Sequence, residues 1–138
     1  MKKFSMLCVV LILWTSQLLS QDLKGTWTNQ LGSTLEIEKI DKKTGRFSGY
    51  YISPTGTKGD EYDLTGYTNS LPKEEGKHNV IGVTFSVRWG GYGSLTSWTG
   101  YYTEVEGKPT IVTMWHLVRS RTELPYEHII TGSDTFYR

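Results

Sequence analysis

Beyond residue 20 the sequence contains no cysteine; the single one, Cys8, lies in an N-terminal apolar stretch. That absence excludes disulfides, a thiol nucleophile and a thiolate metal centre from the rest of the chain. Charge of one sign is also lacking. Fifteen Lys and Arg stand against fourteen Asp and Glu, a net +1, which gives no footing for nucleic acid or an anionic lipid surface. No apolar run after the first twenty residues is long enough to cross a bilayer. Asn29, Asn69 and Asn79 are all followed by residues that break a glycosylation sequon. Catalytic spacings are missing too. His78, His116 and His128 form no H-x-x-x-H pair, there is no G-x-S-x-G elbow, and Gly90-Gly91-Tyr92-Gly93 leads into a strand pattern, not a phosphate-cradling helix. These absences argue against an enzyme, and no metal site is expected.

What is present begins with a leader. Lys2 and Lys3 precede the apolar run Met6–Trp14, and Ser16-Gln17-Leu18-Leu19-Ser20 suits a cleavage site, so residues 1–20 are expected to be a secretory signal peptide, cut after Ser20 or Gln21. Loss of Lys2 and Lys3 would take the net charge from +1 to −1. Residues 21–138 are then one secreted, soluble domain, which without disulfides must draw its stability from packing, association or ligand.

Within that domain β-branched and aromatic residues dominate short runs, and amphipathic 3.6-residue periodicity is missing. Strands are predicted near 24–29, 33–40, 46–53, 61–68, 79–89, 94–104, 109–119 and 127–137, separated by turn clusters such as Asn29–Gly32, Asp41–Gly45, Pro54–Gly59, Gly90–Gly93 and Glu106–Pro109. Eight strands in meander order predict an all-β fold, an eight-stranded antiparallel up-and-down β-barrel, with a two-sheet sandwich as the alternative. Three loops are long: 54–60, which could fold over a barrel mouth; 69–78, which is polar; and 120–126, which carries Tyr126.

The composition of the strand faces is unusual. Strand alternation puts Ser94, Thr96 and Trp98 on one face, Tyr51 with Ser53 on another, and Thr113, Trp115 and Leu117 on a third. Hydroxyls beside indoles suit the interior of a barrel that holds a small, flat, polar ligand. The plainer alternative has the hydroxyls in solvent and the tryptophans as core. If Trp115 points inward, Val112, Met114, His116 and Val118 point outward, a strip apolar enough to pack on another subunit or under a loop of the same chain.

The ordered set of segments Gly25–Ser33 (GTWTNQLGS), Phe47–Ser53 (FSGYYIS), Trp89, Ser94–Gly100 (SLTSWTG), Thr113–Leu117 (TMWHL) and Gly132–Phe136 (GSDTF) resembles the avidins and streptavidin over residues 23–138. The resemblance implies a secreted, non-catalytic biotin-binding protein, with biotin as ligand and no cofactor. It assigns Asn29, Ser33 and Tyr51 to the ureido oxygen, and Asp134 and Ser53 to the ureido N–H groups. Thr96 would meet the ring sulfur. Ser94, with backbone of Thr55, Gly56 and Thr57, would receive the carboxylate, and Trp89, Trp98, Trp115, Leu117 and Phe85 would form the walls. Singly, Asn29 and Ser33 also read as turn residues, Asp134 as another, and the aromatics as core.

Departures from the pattern carry expectations of their own. Tyr126 stands where those relatives place a tryptophan that reaches into a neighbouring subunit's pocket, so binding is expected to be weaker or to release faster. The 90–93 link is short, which leaves the carboxylate end least defined. Family likeness implies a homo-oligomer, most simply a tetramer, in which small Thr131 and Ser133 weaken the Met114 contact. By the same likeness its role is to sequester biotin, denying it to microbes. The rival is a lipocalin-like extracellular carrier of another small hydrophobic ligand, disfavoured by the carboxylate and hydroxyls it would have to bury.

Overall fold

The computed structural model describes residues 23–69 and 80–138. The expected leader, His78 and most of the 69–78 loop lie outside the described residues. Eight strands form a closed barrel in sequence order: β1 Gly25–Asn29, β2 Thr34–Ile40, β3 Arg46–Ile52, β4 Glu61–Thr68, β5 Ile81–Arg88, β6 Ser94–Val105, β7 Lys108–Arg119 and β8 Ile129–Tyr137. All adjacent pairs are antiparallel, and β1 closes on β8 through Thr28 with Tyr137 and Asn29 with Phe136. The barrel expected from the sequence is therefore the fold, and the sandwich is excluded.

Alternation builds the interior. In β5, Ile81, Val83, Phe85 and Val87 are buried while Thr84, Ser86 and Arg88 face out. Aromatic rings fill much of the interior: Phe85 stacks on Trp98 at 4.8 Å and 10°, and Tyr51 lies 5.0 Å from Trp98. Tyr51 also meets Trp89 edge-on at 5.7 Å.

Up-and-down order sorts the loops. The β1–β2, β3–β4, β5–β6 and β7–β8 connections gather at one end, the mouth, and the rest at the other. The far end is closed by packing: fully buried Trp27 donates its indole N–H to the Leu23 carbonyl at 3.0 Å and meets Tyr102 edge-on. Arg138 lies over Trp27 at 4.3 Å and donates to the Lys24 carbonyl at 2.6 Å.

Three strand boundaries near the turns differ from expectation. Glu106-Gly107 is a two-residue hairpin turn with both residues at positive φ, 52° and 74°. Such a turn follows the sheet's own twist, so Lys108 belongs to β7 and not to the loop, and Pro109, expected both in the turn cluster and at the start of the strand, is in the strand. Proline is tolerated there because it stands at the start of the strand. Trp89 and Ser53, expected at strand ends, fall just outside β5 and β3; Trp89 enters a 3-10 turn at Gly90–Tyr92.

Candidate functional site

The β1–β2 turn fixes the first polar group. Asn29 Oδ1 accepts the backbone N–H groups of Leu31 at 3.0 Å and Ser33 at 2.8 Å, the side-chain turn that asparagine favours. With its oxygen held by the backbone, the side chain must present its amide nitrogen inward, where Nδ2 donates to Tyr51 Oη at 3.4 Å. The turn reading of Asn29 and the ligand-facing reading thus describe one arrangement. Ser33 also hydrogen-bonds the Tyr51 phenol. Burial raises the Tyr51 pKa well above the ordinary tyrosine value, the Asp134 carboxylate adds to the rise, and the Ser33 bond opposes it. Tyr51 therefore stays a neutral donor across the physiological range.

Asp134 is buried on β8, the strand that pairs with β1 across the barrel closure. Its Oδ2 accepts the Trp98 indole N–H at 2.8 Å and its Oδ1 accepts Gln30 Nε2 at 3.1 Å. Thr113 Oγ1 on β7 donates to the Asp134 backbone carbonyl at 3.0 Å, tying the residue to the neighbouring strand. The donors Asn29, Ser33 and Tyr51 and the acceptor Asp134 are all buried. A group that offers one acceptor atom flanked by N–H donors suits such a set.

A different set of residues lines a pocket of about 180 Å³ at the mouth: Ser53, Gly56, Thr57, Trp89, Tyr92, Ser94 and Leu117. Buried Thr96 accepts the Trp89 indole N–H at 2.7 Å, which locks one wall to β6. The 54–60 loop folds onto its own stem: Gly56 N donates to Ser53 Oγ at 3.1 Å, and Thr57 Oγ1 and N donate to the Ser53 carbonyl at 3.1 and 3.2 Å. Gly56 and Thr57 thereby reach the pocket, while Thr55 is exposed. Trp115 and Leu117 are half-buried on the inner face of β7, beside Trp98 and Thr96 on β6.

Tyr126 is 77% exposed and belongs to the β7–β8 loop. The loop's base is pinned, since Arg119 donates to the Glu127 carbonyl through Nη2 at 2.6 Å and Nε at 3.2 Å. Outside the barrel, Val118, His116 and Met114 form one row of β7 with Met114 64% exposed, as the alternation of β7 predicts.

Four residues escaped the sequence reading. Tyr62 stands edge-on to Trp89 at 5.3 Å, and Tyr92 joins the pocket rim. Gly132 lies under Trp115, where an added Cβ would sit 2.3 Å from Cζ2. Gln30 bonds Asp134, and its only sequence signal was its place after Asn29. Among the described residues, no three metal-ligating side chains converge.

The model of the Avidin family matches residues 17–138. The chain is similar to afifavidin of Afifella pfennigii, 32% identical over 121 residues, which is 83% of this chain and 67% of the relative. It is 29% identical over 119 residues to avidin-related protein 4/5 of Gallus gallus, covering 84% of this chain and 77% of the relative. Against avidin of Gallus gallus it is 36% identical over 102 residues, 71% of this chain and 63% of the relative.

Proposed function

The chain belongs to the avidin family, and from that premise we propose that it is a secreted, non-catalytic protein that binds and sequesters biotin outside the cell. The observation that carries the reading is the burial of the donors Asn29, Ser33 and Tyr51 and of the Asp134 carboxylate within one barrel, with Tyr51 packed 5.0 Å from the Trp98 ring whose indole N–H bonds Asp134. Biotin's ureido oxygen is an acceptor that can take the three donors, and its N–H groups are donors that Asp134 and Ser53 can accept. Acting together, donors and carboxylate polarise the urea and strengthen each bond to it. Trp89, Trp98, Trp115, Leu117 and Phe85 supply apolar walls for the bicyclic ring, Thr96 a hydroxyl for its sulfur, and the pocket at Ser94, Gly56 and Thr57 receives the chain that ends in the carboxylate. Thr55 would join that end only through its backbone.

Tyr126 is proposed to enter a neighbouring subunit's pocket, and the assembly to be a tetramer. The outer rows of β6, β7 and β8 support association: Leu95, Val118 and Ile129 lie side by side, as do Thr99, Met114 and Ser133. Denying biotin to microbes is the physiological role consistent with the family.

A lipocalin-like carrier of another small hydrophobic ligand is not favoured, because the family match points to the avidins instead. Calorimetric titration of the secreted protein with biotin tests the reading. Saturable heat at one site per chain, with a shift in tryptophan emission, is expected. Absence of both at micromolar protein and biotin overturns it.

A further inference from the structure

The barrel closes where its backbone ladder is shortest. After Asn29 pairs with Phe136, the next rung in register would join residues 30 and 135, but the chain has already turned into the β1–β2 connection. The edge of β8 at this point is not left open. The Gln30 carboxamide takes the place of a peptide group: its Oε1 accepts the Thr135 backbone N–H at 3.0 Å, and its Nε2 donates to the Ser133 carbonyl at 3.1 Å. The same Nε2 reaches Asp134 Oδ1 at 3.1 Å, while Trp98 holds Oδ2.

We propose that Gln30 is a positioning residue: its side chain supplies the missing rung of the β1–β8 seam and, through that rung, sets the rotation of the Asp134 carboxylate in the site. A carboxylate rotates about its last torsion with little preference of its own, so its orientation is decided by the donors it meets. Here one donor comes from β6 through Trp98 and the other from across the seam through Gln30. Asp134 is thus held between the two sides of the closure. Gln30 makes no contact with a ligand; it acts on binding by holding the acceptor.

For its ligand arm the proposal rests on the biotin-binding reading, so its test has an arm that needs no ligand. In the ligand-free protein, Gln30→Ala should shift the Trp98 indole N–H resonance in a proton–nitrogen correlation spectrum and speed hydrogen exchange of the Thr135 amide. Gln30→Glu keeps an acceptor for Thr135 but loses the donor to Asp134; it should leave Thr135 protected and still shift the Trp98 resonance. With biotin bound, Gln30→Ala should release it about tenfold faster. In an Asp134→Ala background the same substitution should change release little, which a merely structural seam residue would not show. The proposal is overturned if the Trp98 resonance stays in place in both variants, or if Gln30→Ala speeds release equally with and without Asp134. Failure of the wild-type protein to take up biotin would overturn the biotin reading instead, and the two ligand-free signals would still decide the role of Gln30.

Discussion

Asp134 holds three side chains in relation to one another, so its removal separates binding from folding. Asp134→Ala deletes the acceptor assigned to a ureido N–H and leaves the Trp98 indole without its partner. Biotin affinity is expected to fall by about 2–3 kcal/mol, the scale of a hydrogen bond to a charged group, while circular dichroism still shows the barrel. Titration calorimetry reads the loss, and wild-type affinity in the variant would remove the assigned role. Tyr51 gives a pH dependence with a definite sign. Its native pKa is raised by burial, so above the ordinary tyrosine value, about 10, the unfolded chain gives up a proton that the native protein keeps. Stability from this residue is fully present below that pH and declines as pH rises above it, by up to about 1.4 kcal/mol per unit. Denaturant titrations at stepped pH should show a steeper alkaline decline in the wild type than in Tyr51→Phe. At this scale the sequence was informative about residue types and poor on partners. Tyr51 could be singled out by strand alternation beside Ser53, whereas Asn29 and Asp134 read singly as turn residues and took site roles only from the resemblance of their segments to the avidins. Gln30 could not be singled out, because its partners are more than a hundred residues away and depend on the register of the first strand against the last.

Among the strands, β7 and β8 show how a glycine makes room for a wall. Trp115 pairs in register with Gly132, and its ring lies over the position where a side chain would start. Gly132→Ala is expected to displace the ring and cost about 1–3 kcal/mol. Chemical denaturation measures the cost, and adding Trp115→Leu should relieve most of it, a coupling that a backbone effect at Gly132 would not produce. Most strands were legible because alternation and turn residues agree over five to twelve residues at a time. The hairpin between β6 and β7 was harder to read. Pro109 looks like a breaker in one dimension, whereas the two-residue turn at Glu106-Gly107 places it at a strand's beginning, where its missing N–H is harmless.

For the whole molecule, the outer face of β6, β7 and β8 sets the expected state of association. Met114→Arg puts a charge between Thr99 and Ser133 on that face and should yield a smaller assembly by light scattering coupled to size exclusion. An unchanged mass would place the contact elsewhere. Ligand acts on the same scale. Biotin at a hundred times its dissociation constant should stabilise the fold by about 2.7 kcal/mol, raising the melting temperature by roughly 10 °C.

The ring topology also orders events in time. Every pairing but one joins strands that are consecutive in the chain, so refolding can proceed hairpin by hairpin through short closures. Joining the first strand to the last encloses nearly the whole domain, and the carboxylate of Asp134 is held only once that junction exists. During refolding from denaturant, recovery of biotin uptake should therefore trail the return of β-sheet signal, by the interval the circle needs to shut.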